Sequence, residues 1–407
     1  MNVLLVTQYF WPESFTMNEM AVALTERGVA VEVLTGKPNY PEGKLFAGYK
    51  PIRVERESHS GISILRLPVV TRGSKNRLRL ALNYLSFIVS GILLGPWLLR
   101  RNRASVILVY CPSPLLQAIP AIFIAWLKRI PVVLYVQDLW PESLEATGYV
   151  QNRFVLATVS RVVKYIYQNV DLILISSKPF EGSIKGFSKT TPIAYLPNSV
   201  DKKMSDPTEG EKPHLSVFDD GFCVVFAGNV GSAQGVRVIV DAAAHLKAYP
   251  FIKLVVLGSG SELEWMRQQV NDSGLTNVHL MGRYPASAMP YLLSKASALL
   301  VTLADQPIFS LTVPNKIQAY MAVGKPIIAC LNGEGARLVC EADAGLAVAA
   351  EDGQGLAAAI VRLFHTPVDE LKRLGSNAQS YYRTNFDQDK LADQLLGHLN
   401  SVVKGTK

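Results

Sequence analysis

The sequence predicts an α/β protein of two Rossmann-like, doubly wound domains facing a central cleft. Three observations predict it. A buried-type strand, a glycine turn and an amphipathic helix follow one another in FCVVFAGNVGSAQGVRVIVDAAAHL (residues 222–246). The N-terminus opens the same way, with VLLVTQYFWPES, a helical stretch to Arg27-Gly28 and the strand VAVEVLT. Finally, 407 residues exceed one ordinary core and fit two domains of roughly 200 residues each.

In the first half, strands are expected near 2–7, 30–35, 62–67, 105–110, 131–137, 171–175 and 192–196. Helices near 15–27, 78–99, 114–129, 151–169 and 179–186 separate them. Continuous apolar runs such as VILVY and PVVLYV suit parallel strands covered on both faces. A polar linker after Pro197, SVDKKMSDPTEGEKPHLSVFDDG, reads as a domain boundary. The second half repeats the alternation, with strands near 222–227, 252–257, 277–281, 298–303 and 326–330. Its helices are expected near 235–247, 260–272, 287–295 and 315–323, and two more between 368 and 403. The resulting domains are 1–200 and 201–385, with a terminal helix at 386–407 expected to pack back toward the N-terminal domain.

Four cysteines without paired spacing read as thiols in a reducing compartment, Cys111, Cys223 and Cys330 within or beside apolar strands. The start, MNVLLVTQYFWPE, lacks a basic n-region and reads as a first strand rather than a signal peptide. The net charge of +8 is unevenly placed: residues 1–200 carry 22 Lys/Arg against 12 Asp/Glu. No acidic residue lies between Glu57 and Asp138, while Arg66, Arg72, Lys75, Arg77, Arg79, Arg100, Arg101, Arg103, Lys128 and Arg129 do. Such a one-sided field points to an anionic partner: phospholipid, lipid-linked phosphate or nucleic acid.

Within that region lies LALNYLSFIVSGILLGPWLL, from Leu80 to Leu99. A helix ending at Gly95 would be roughly 24 Å long, short of a ~30 Å hydrocarbon core, and Pro96 is expected to break it. A single crossing would also put strands of one sheet on opposite sides of the bilayer. An interfacial or re-entrant segment held by Lys/Arg is therefore expected, with a buried core helix as the alternative.

The loop of Gly228, Gly231 and Gly235 offers backbone amides and a helix start to an anion, or is a structural turn. Its GxxGxxxG spacing differs from the dinucleotide fingerprint and no acidic residue ends the next strand, which disfavours NAD or FAD. In DQPIFSLTVPNKIQAYMAVGKP (residues 305–326), Lys316 falls in the first turn of a helix. There a cation opposes the dipole unless it faces an anion, to which the amides of Thr312 and Val313 can also point. The alternative is an exposed lysine. Asp138 and Glu142, in QDLWPES after the strand PVVLYV, can accept from sugar hydroxyls; otherwise Asp138 caps a turn and Glu142 is solvated. Trp11-Pro12-Glu13-Ser14 repeats the W-P-E-S string, either lining the same cleft or capping a helix through Ser14. Six scattered histidines, no Asp-x-Asp and no Gly-x-Ser-x-Gly argue for no metal site and no serine nucleophile.

Taken in order, LPNSVD, FAGNVGSAQG, LVVLGSG, HLMGRYP and VPNKIQAYMAVGKPIIA resemble a family 4 glycosyltransferase of GT-B fold over residues 1–385. The resemblance is nearest the bacterial branch that builds O-antigen, capsule and colanic-acid-like repeats, some of whose members transfer N-acetyl-fucosamine. It implies retaining transfer from a UDP-sugar, without metal or other cofactor, to a polyprenyl-diphosphate-linked saccharide. It further implies work at the cytoplasmic face of the inner membrane, on an anionic surface, with no nucleic acid involved. Carried over by position, Arg283 and Tyr284 match the nucleobase loop, Thr312, Val313 and Pro314 the diphosphate loop, and Asp138 the sugar-facing loop. Gln137 stands where many members have histidine. The family's diphosphate Arg and Lys fall on Asn229 and Gln234, its two glutamates on Leu311 and Ala319, and its first-loop glycine pair is missing. Lys316 is expected to replace the missing charge, helped by Arg283 and the Gly231 amide. The expected site is thus Asp138, Gln137 and Lys316 for catalysis. Asn229, Gly231, Gln234 and Gly258 join Arg283, Tyr284 and the 312–314 loop for the donor, and Glu13, Ser14 and Glu142 serve the acceptor. Another GT-B enzyme, such as a UDP-sugar 2-epimerase, and a non-catalytic membrane-bound scaffold are the competing readings.

Overall fold

The computed structural model describes residues 1–73, 77–146, 152–208 and 210–405. The chain forms two compact units, one of Met1–Pro197 with Gln388–Lys407, the other of Asn198–Asp387.

The first unit holds strands β1 (Asn2–Val6), β2 (Ala30–Thr35), β3 (Glu55–His59), β4 (Ile62–Arg66), β5 (Val106–Cys111), β6 (Val132–Val136), β7 (Leu172–Ile175) and β8 (Ile193–Tyr195). Its helices are α1 (Thr16–Glu26), α2 (Arg77–Leu98), α3 (Ala118–Lys128), α4 (Glu142–Ala146), α5 (Arg153–Gln168) and α6 (Phe180–Phe187). The sheet runs β3-β4-β2-β1-β5-β6-β7-β8 and is parallel except for the β3–β4 pair. Every residue of β5 and β6 is buried, as their unbroken apolar sequence demands when helices cover both faces. The connections reverse direction between β1 and β5. Beyond the carboxyl ends of those two strands lies the crevice where open α/β sheets hold ligands.

The second unit holds β9 (Phe222–Asn229), β10 (Ile252–Ser259), β11 (Val278–Gly282), β12 (Ala298–Thr302), β13 (Ile327–Cys330) and β14 (Gly345–Val348). Around them lie α7 (Arg237–His245), α8 (Leu263–Asp272), α9 (Met289–Ser294), α10 (Pro307–Ser310), α11 (Asn315–Val323), α12 (Glu334–Glu341), α13 (Gly353–Phe364) and α14 (Val368–Asn385). The sheet is parallel throughout, in the order β11-β10-β9-β12-β13-β14, with its reversal between β9 and β12.

The last helix, α15 (Gln388–Gly405), belongs to the first unit. Leu391, Ala392, Leu395 and Leu399 complete the core formed by Met17, Met20, Ala21 and Leu24 of α1. Arg27 reaches across to Asp393 at 2.5 Å and Asp389 at 3.1 Å.

Several elements differ from expectation. β3, of sequence ERESH, has no apolar alternation; it is a charged edge strand, the usual protection of a sheet edge. Segments 334–341, 345–348 and 353–364 form α12, β14 and α13, where no element was expected. Helix α2 does not stop at Pro96 but runs on to Leu98. Proline in the last turn forfeits only one bond before the helix would end anyway.

Helix α2 lies against its own unit along one face. Asn83 is fully buried and bonded to Gln8 Nε2 (2.6 Å) and Tyr9 Oη (3.1 Å), while its own amide donates to the Val70 carbonyl. Ser90 bonds the Pro68 carbonyl at 2.7 Å. Gly91 and Gly95 allow close approach to α3, since a Cβ there would stand 2.6 Å from Pro120 and 2.9 Å from Ile124. The opposite face is apolar and exposed: Leu78, Leu82, Leu85, Val89, Leu93 and Trp97 recur every three or four residues, Leu93 at 71 % exposure.

Because α15 closes the first unit's core, Leu395→Ala should lower stability by about 2–5 kcal/mol. Arg27→Ala, which removes ion pairs to two largely exposed aspartates, should cost at most ~1 kcal/mol. Urea unfolding of the two variants checks the ranking.

Candidate active-site halves

In the second unit, β9 and β10 end side by side at two glycines, Gly258 required by contact and Gly228 by its backbone angle. A Cβ on Gly258 would meet the Gly228 carbonyl oxygen at 1.8 Å, and one on Gly228, at φ +129°, would meet Lys316 Cε at 2.9 Å. After Asn229, which is exposed, and Gly231, which is buried, the chain makes a short turn through Gln234. It then passes Gly235 in the left-handed region, pressed against Leu303 and Ala304.

Lys316 enters from the first turn of α11. Its Nζ donates to Gln234 Oε1 at 2.6 Å and sits 3.8 Å from the centre of the Phe226 ring. Among the described residues it has no carboxylate partner. Burial against neutral groups pushes its pKa down to about 7, since an ammonium stripped of water is costly. Tyr320, one helical turn further on, accepts from the Ala227 amide at 3.0 Å and so fastens α11 to β9. That amide lies one residue past the last β9–β12 pair, which is why a side chain takes it.

The other donor-side expectations divide. Thr312 spends its amide on the Phe309 carbonyl (3.2 Å) and its hydroxyl on Ile308 (3.0 Å), so the amide is engaged within the α10 turn. Val313 is buried in the core, and Pro314 holds the N-cap position of α11. Arg283 is exposed and Tyr284 half-buried in the loop after β11. Asn229 ends β9 and Gln234 lies in the turn beyond it; of the two, it is Gln234 that bonds Lys316.

In the first unit, the loops after β1, β5 and β6 and one end of α2 enclose a cavity of about 480 Å³. Tyr9, Phe15 and Tyr40 pack together on one wall, with ring centres 5.3–5.7 Å apart. Tyr84 and Trp140 meet edge-on at 6.3 Å. Arg72 lays its guanidinium over Tyr40 at 5.0 Å. Asp138 lines the same cavity and its carboxylate accepts from the Ser143 hydroxyl. Burial pushes Asp138 up to about 6 against that bond's opposite pull. Gln137 follows the end of β6, its amide bonded to the Cys111 carbonyl at 3.1 Å. Glu142 opens α4, with one carboxylate oxygen buried.

Glu13 has a different place from the one expected of an acceptor contact. It is buried, and its carboxylate accepts from the amides of Asn39 (2.7 Å), Tyr40 (2.7 Å) and Phe10 (3.3 Å). Asn39 in turn accepts from the Arg72 amide at 3.0 Å. Glu13 therefore shapes the cavity wall rather than lining it. Ser14 is exposed; the N-cap position of α1 is Phe15, with no side-chain cap. Arg66, counted in the basic stretch, is buried. It donates to Glu57 and to the carbonyls of Trp11 and Gly36, and so holds the β1 loop. Lys75 lies outside the described residues. Among the described residues, no three His, Cys, Asp or Glu gather as a metal site.

Sequence reasoning missed Tyr320, Asn83 and the Arg72–Tyr40 pair. The first two had a signal: Tyr320 follows Lys316 by four residues on one helix face, and Asn83 is the lone amide in an apolar run.

These two crevices, each at a sheet reversal, frame the comparisons. Residues 14–199 match the family described as Glycosyl transferase 4-like domain, and residues 221–366 match Glycosyl transferases group 1. The chain is a family 4 glycosyltransferase. Among relatives of this glycosyltransferase, Probable glycosyltransferase WbjE of Pseudomonas aeruginosa is 25 % identical over 78 % of this chain and 79 % of its own. WcaI of Escherichia coli K12, named as a glycosyl transferase of colanic acid biosynthesis, is 22 % identical over 94 % of each chain. The GT-B fold is shared with sucrose-phosphate synthase from Thermosynechococcus elongatus (TM-score 0.72, 18 % identity, all of both chains). It is shared too with Anabaena HepE, solved in complex with UDP (TM-score 0.70, 16 % identity, 98 % of this chain and 100 % of that one).

Burial raises the Glu13 pKa from the ordinary 4.5 to about 7, against the pull of three amides. Between those values the folded chain binds a proton that the unfolded chain has lost, so stability falls as pH rises through that window. The fall should reach at most about 3 kcal/mol. Urea midpoints of Glu13→Gln, measured across the same window, should show that slope flattened.

Proposed function

We propose that this glycosyltransferase moves a sugar from a UDP-sugar to a polyprenyl-diphosphate-linked saccharide in bacterial surface polysaccharide assembly, with retention, at the cytoplasmic face of the inner membrane. The observation that carries the reading is Lys316: among the described residues, a desolvated ammonium with only a neutral oxygen and a ring beside it, at the sheet reversal of the second unit. Such a group is stabilised by an incoming anion. A diphosphate leaving group gathers negative charge as the glycosidic bond breaks, and a fixed cation there lowers the barrier. UDP bound to the similarly folded HepE supports a uridine diphosphate as that anion. The names of WbjE and WcaI support sugar transfer, and that of WcaI supports polysaccharide assembly. The branch resemblance favours an N-acetylated deoxyhexosamine as the transferred sugar.

In this mechanism Lys316 pairs with the leaving phosphate, displacing Gln234. Asp138, ionised, accepts a hydrogen bond from the acceptor hydroxyl and orients it. The departing phosphate oxygen takes the acceptor proton, so no side chain is asked to form a covalent bond. Asp138 must be charged, which favours pH above about 6, and Lys316 must be charged, which favours pH below about 7 in the free enzyme.

The acceptor side follows from the exposed face of α2. Its leucines, Val89 and Trp97 are joined on that unit by exposed Trp126 and by Phe154, at 85 % exposure, with Arg100, Arg101 and Arg103 exposed just beyond the helix. An apolar stripe beside basic residues suits an interfacial helix on anionic lipid, whereas spanning would pull Asn83 and Ser90 from their partners.

UDP affinity, measured by calorimetry, should weaken as pH rises from 6 to 9 and should lose that dependence in Lys316→Met. Lys316→Ala should lower kcat roughly 10²–10³-fold with the fold intact. UDP release from a donor panel, with and without a lipid-linked acceptor, tests the reaction; near-normal turnover in Lys316→Ala rejects this role.

Flotation with anionic vesicles checks the surface. Arg100, Arg101 and Arg103 changed together to Ser, or Leu93 to Glu, should each reduce the bound fraction severalfold.

A further inference from the structure

The cavity of the first unit fits a lipid chain better than a sugar ring. A sugar needs several polar partners, because each buried hydroxyl left unpaired is costly. Here most of the wall is Leu80, Ala81, Leu85, Leu116, Leu144 and Val159 together with the aromatic rings, with Arg72, Ser113, Asp138 and Ser143 as its other polar members. Two of its polar tips are already spent, Tyr9 on Asn83 and Ser143 on Asp138. One group stands out: among the described residues, the Arg72 guanidinium has no hydrogen-bond acceptor and rests only on the face of Tyr40. The occupant should therefore be apolar over most of its surface, carry an anion for Arg72 and offer a hydroxyl to the Asp138 carboxylate on the same wall.

The cavity is also continuous with the stripe on α2. Leu85 belongs to both, and Ala81 and Leu82, on the same stretch of helix, are exposed. An apolar chain can thus pass from a lipid surface into the cavity along α2 without crossing water.

We propose that this cavity receives the isoprenoid segment next to the diphosphate of the lipid-linked acceptor, admitted sideways along α2, with Arg72 pairing with the phosphate. The inference rests on the lipid-linked acceptor proposed above and adds a specific pocket for the lipid. It makes the carrier itself, and not only its sugar, a determinant of specificity. Glu13 has a part in this, since its grip on Asn39 and Tyr40 sets both the ring under Arg72 and the backbone of Arg72.

The test uses the full chain in vesicle-free buffer with saturating UDP, so that the donor half is filled, and calorimetry with farnesyl diphosphate and with inorganic pyrophosphate. Farnesyl diphosphate should bind at least tenfold tighter than pyrophosphate. Arg72→Ala should weaken it about tenfold, and so should Ala81→Trp, which fills the cavity from an exposed position. Circular dichroism melts of both variants identify any that fail to fold, and the ratio in the unaltered protein stands independently of them. Equal binding of the two probes overturns the proposal, as does unchanged affinity in folded Ala81→Trp. Displacement of farnesyl diphosphate by a water-soluble glycoside overturns it in favour of a sugar pocket. Failure to bind UDP, with the farnesyl preference intact, would instead overturn the UDP-sugar donor and leave the lipid pocket standing.

Discussion

A cation without a counter-charge governs the second unit. Lys316 stands where the helix dipole, the loss of water and, among the described residues, the lack of a carboxylate all act against its charge, and Phe226 and Gln234 offset them. The surrounding sequence is arranged to tolerate this. Gly228 is required by its φ of +129°, which side-chain-bearing residues rarely adopt, and Gly258 because β9 and β10 nearly touch at their ends. Tyr320 fixes the helix that carries the lysine to the strand that carries the glycine. An arrangement that is costly alone and improves when an anion arrives is typical of a binding site rather than of a core.

The first unit solves the opposite problem, how to hold a long apolar helix to its own sheet by one face. Burial of one face cannot suffice, because the other face is as apolar. Specificity comes from polar contacts and small residues: Asn83 inside the cluster of Gln8 and Tyr9, Ser90 on a carbonyl, and two glycines against α3. These fix which face turns inward, and so leave a continuous stripe outward. The same Asn83 cluster holds Tyr9 at the cavity wall, so the docking of α2 and the shape of the cavity depend on one set of hydrogen bonds.

Much of this was legible in the chain. Apolar strand runs, glycine turns and the order of motifs identify two α/β units, and Lys316 stood out because a lysine in a first helical turn is unfavourable. What escaped the sequence depended on long-range pairing. ERESH looks like a loop until Glu55 finds Lys37 and Glu57 finds Arg66, which also removes Arg66 from the exposed basic field. Arg72 reads as one more surface charge until the fold lays it on Tyr40. Thr312 looked available because spacing cannot reveal that its amide is spent on Phe309.

The two W-P-E-S strings make the point most sharply. Each follows a strand at the carboxyl edge of one sheet, yet Glu13 is buried under three amides while Glu142 begins a helix. The difference lies in their neighbours. Beside β1, the loop at Asn39 and Tyr40 presents free amides that a carboxylate must satisfy. Beside β6, it is Asp138 that takes a backbone donor, the Leu139 amide, together with the Ser143 hydroxyl. Identical side chains in matching local sequence thus take different places, one under backbone donors and one at a helix start, according to which donors the sheet order brings alongside.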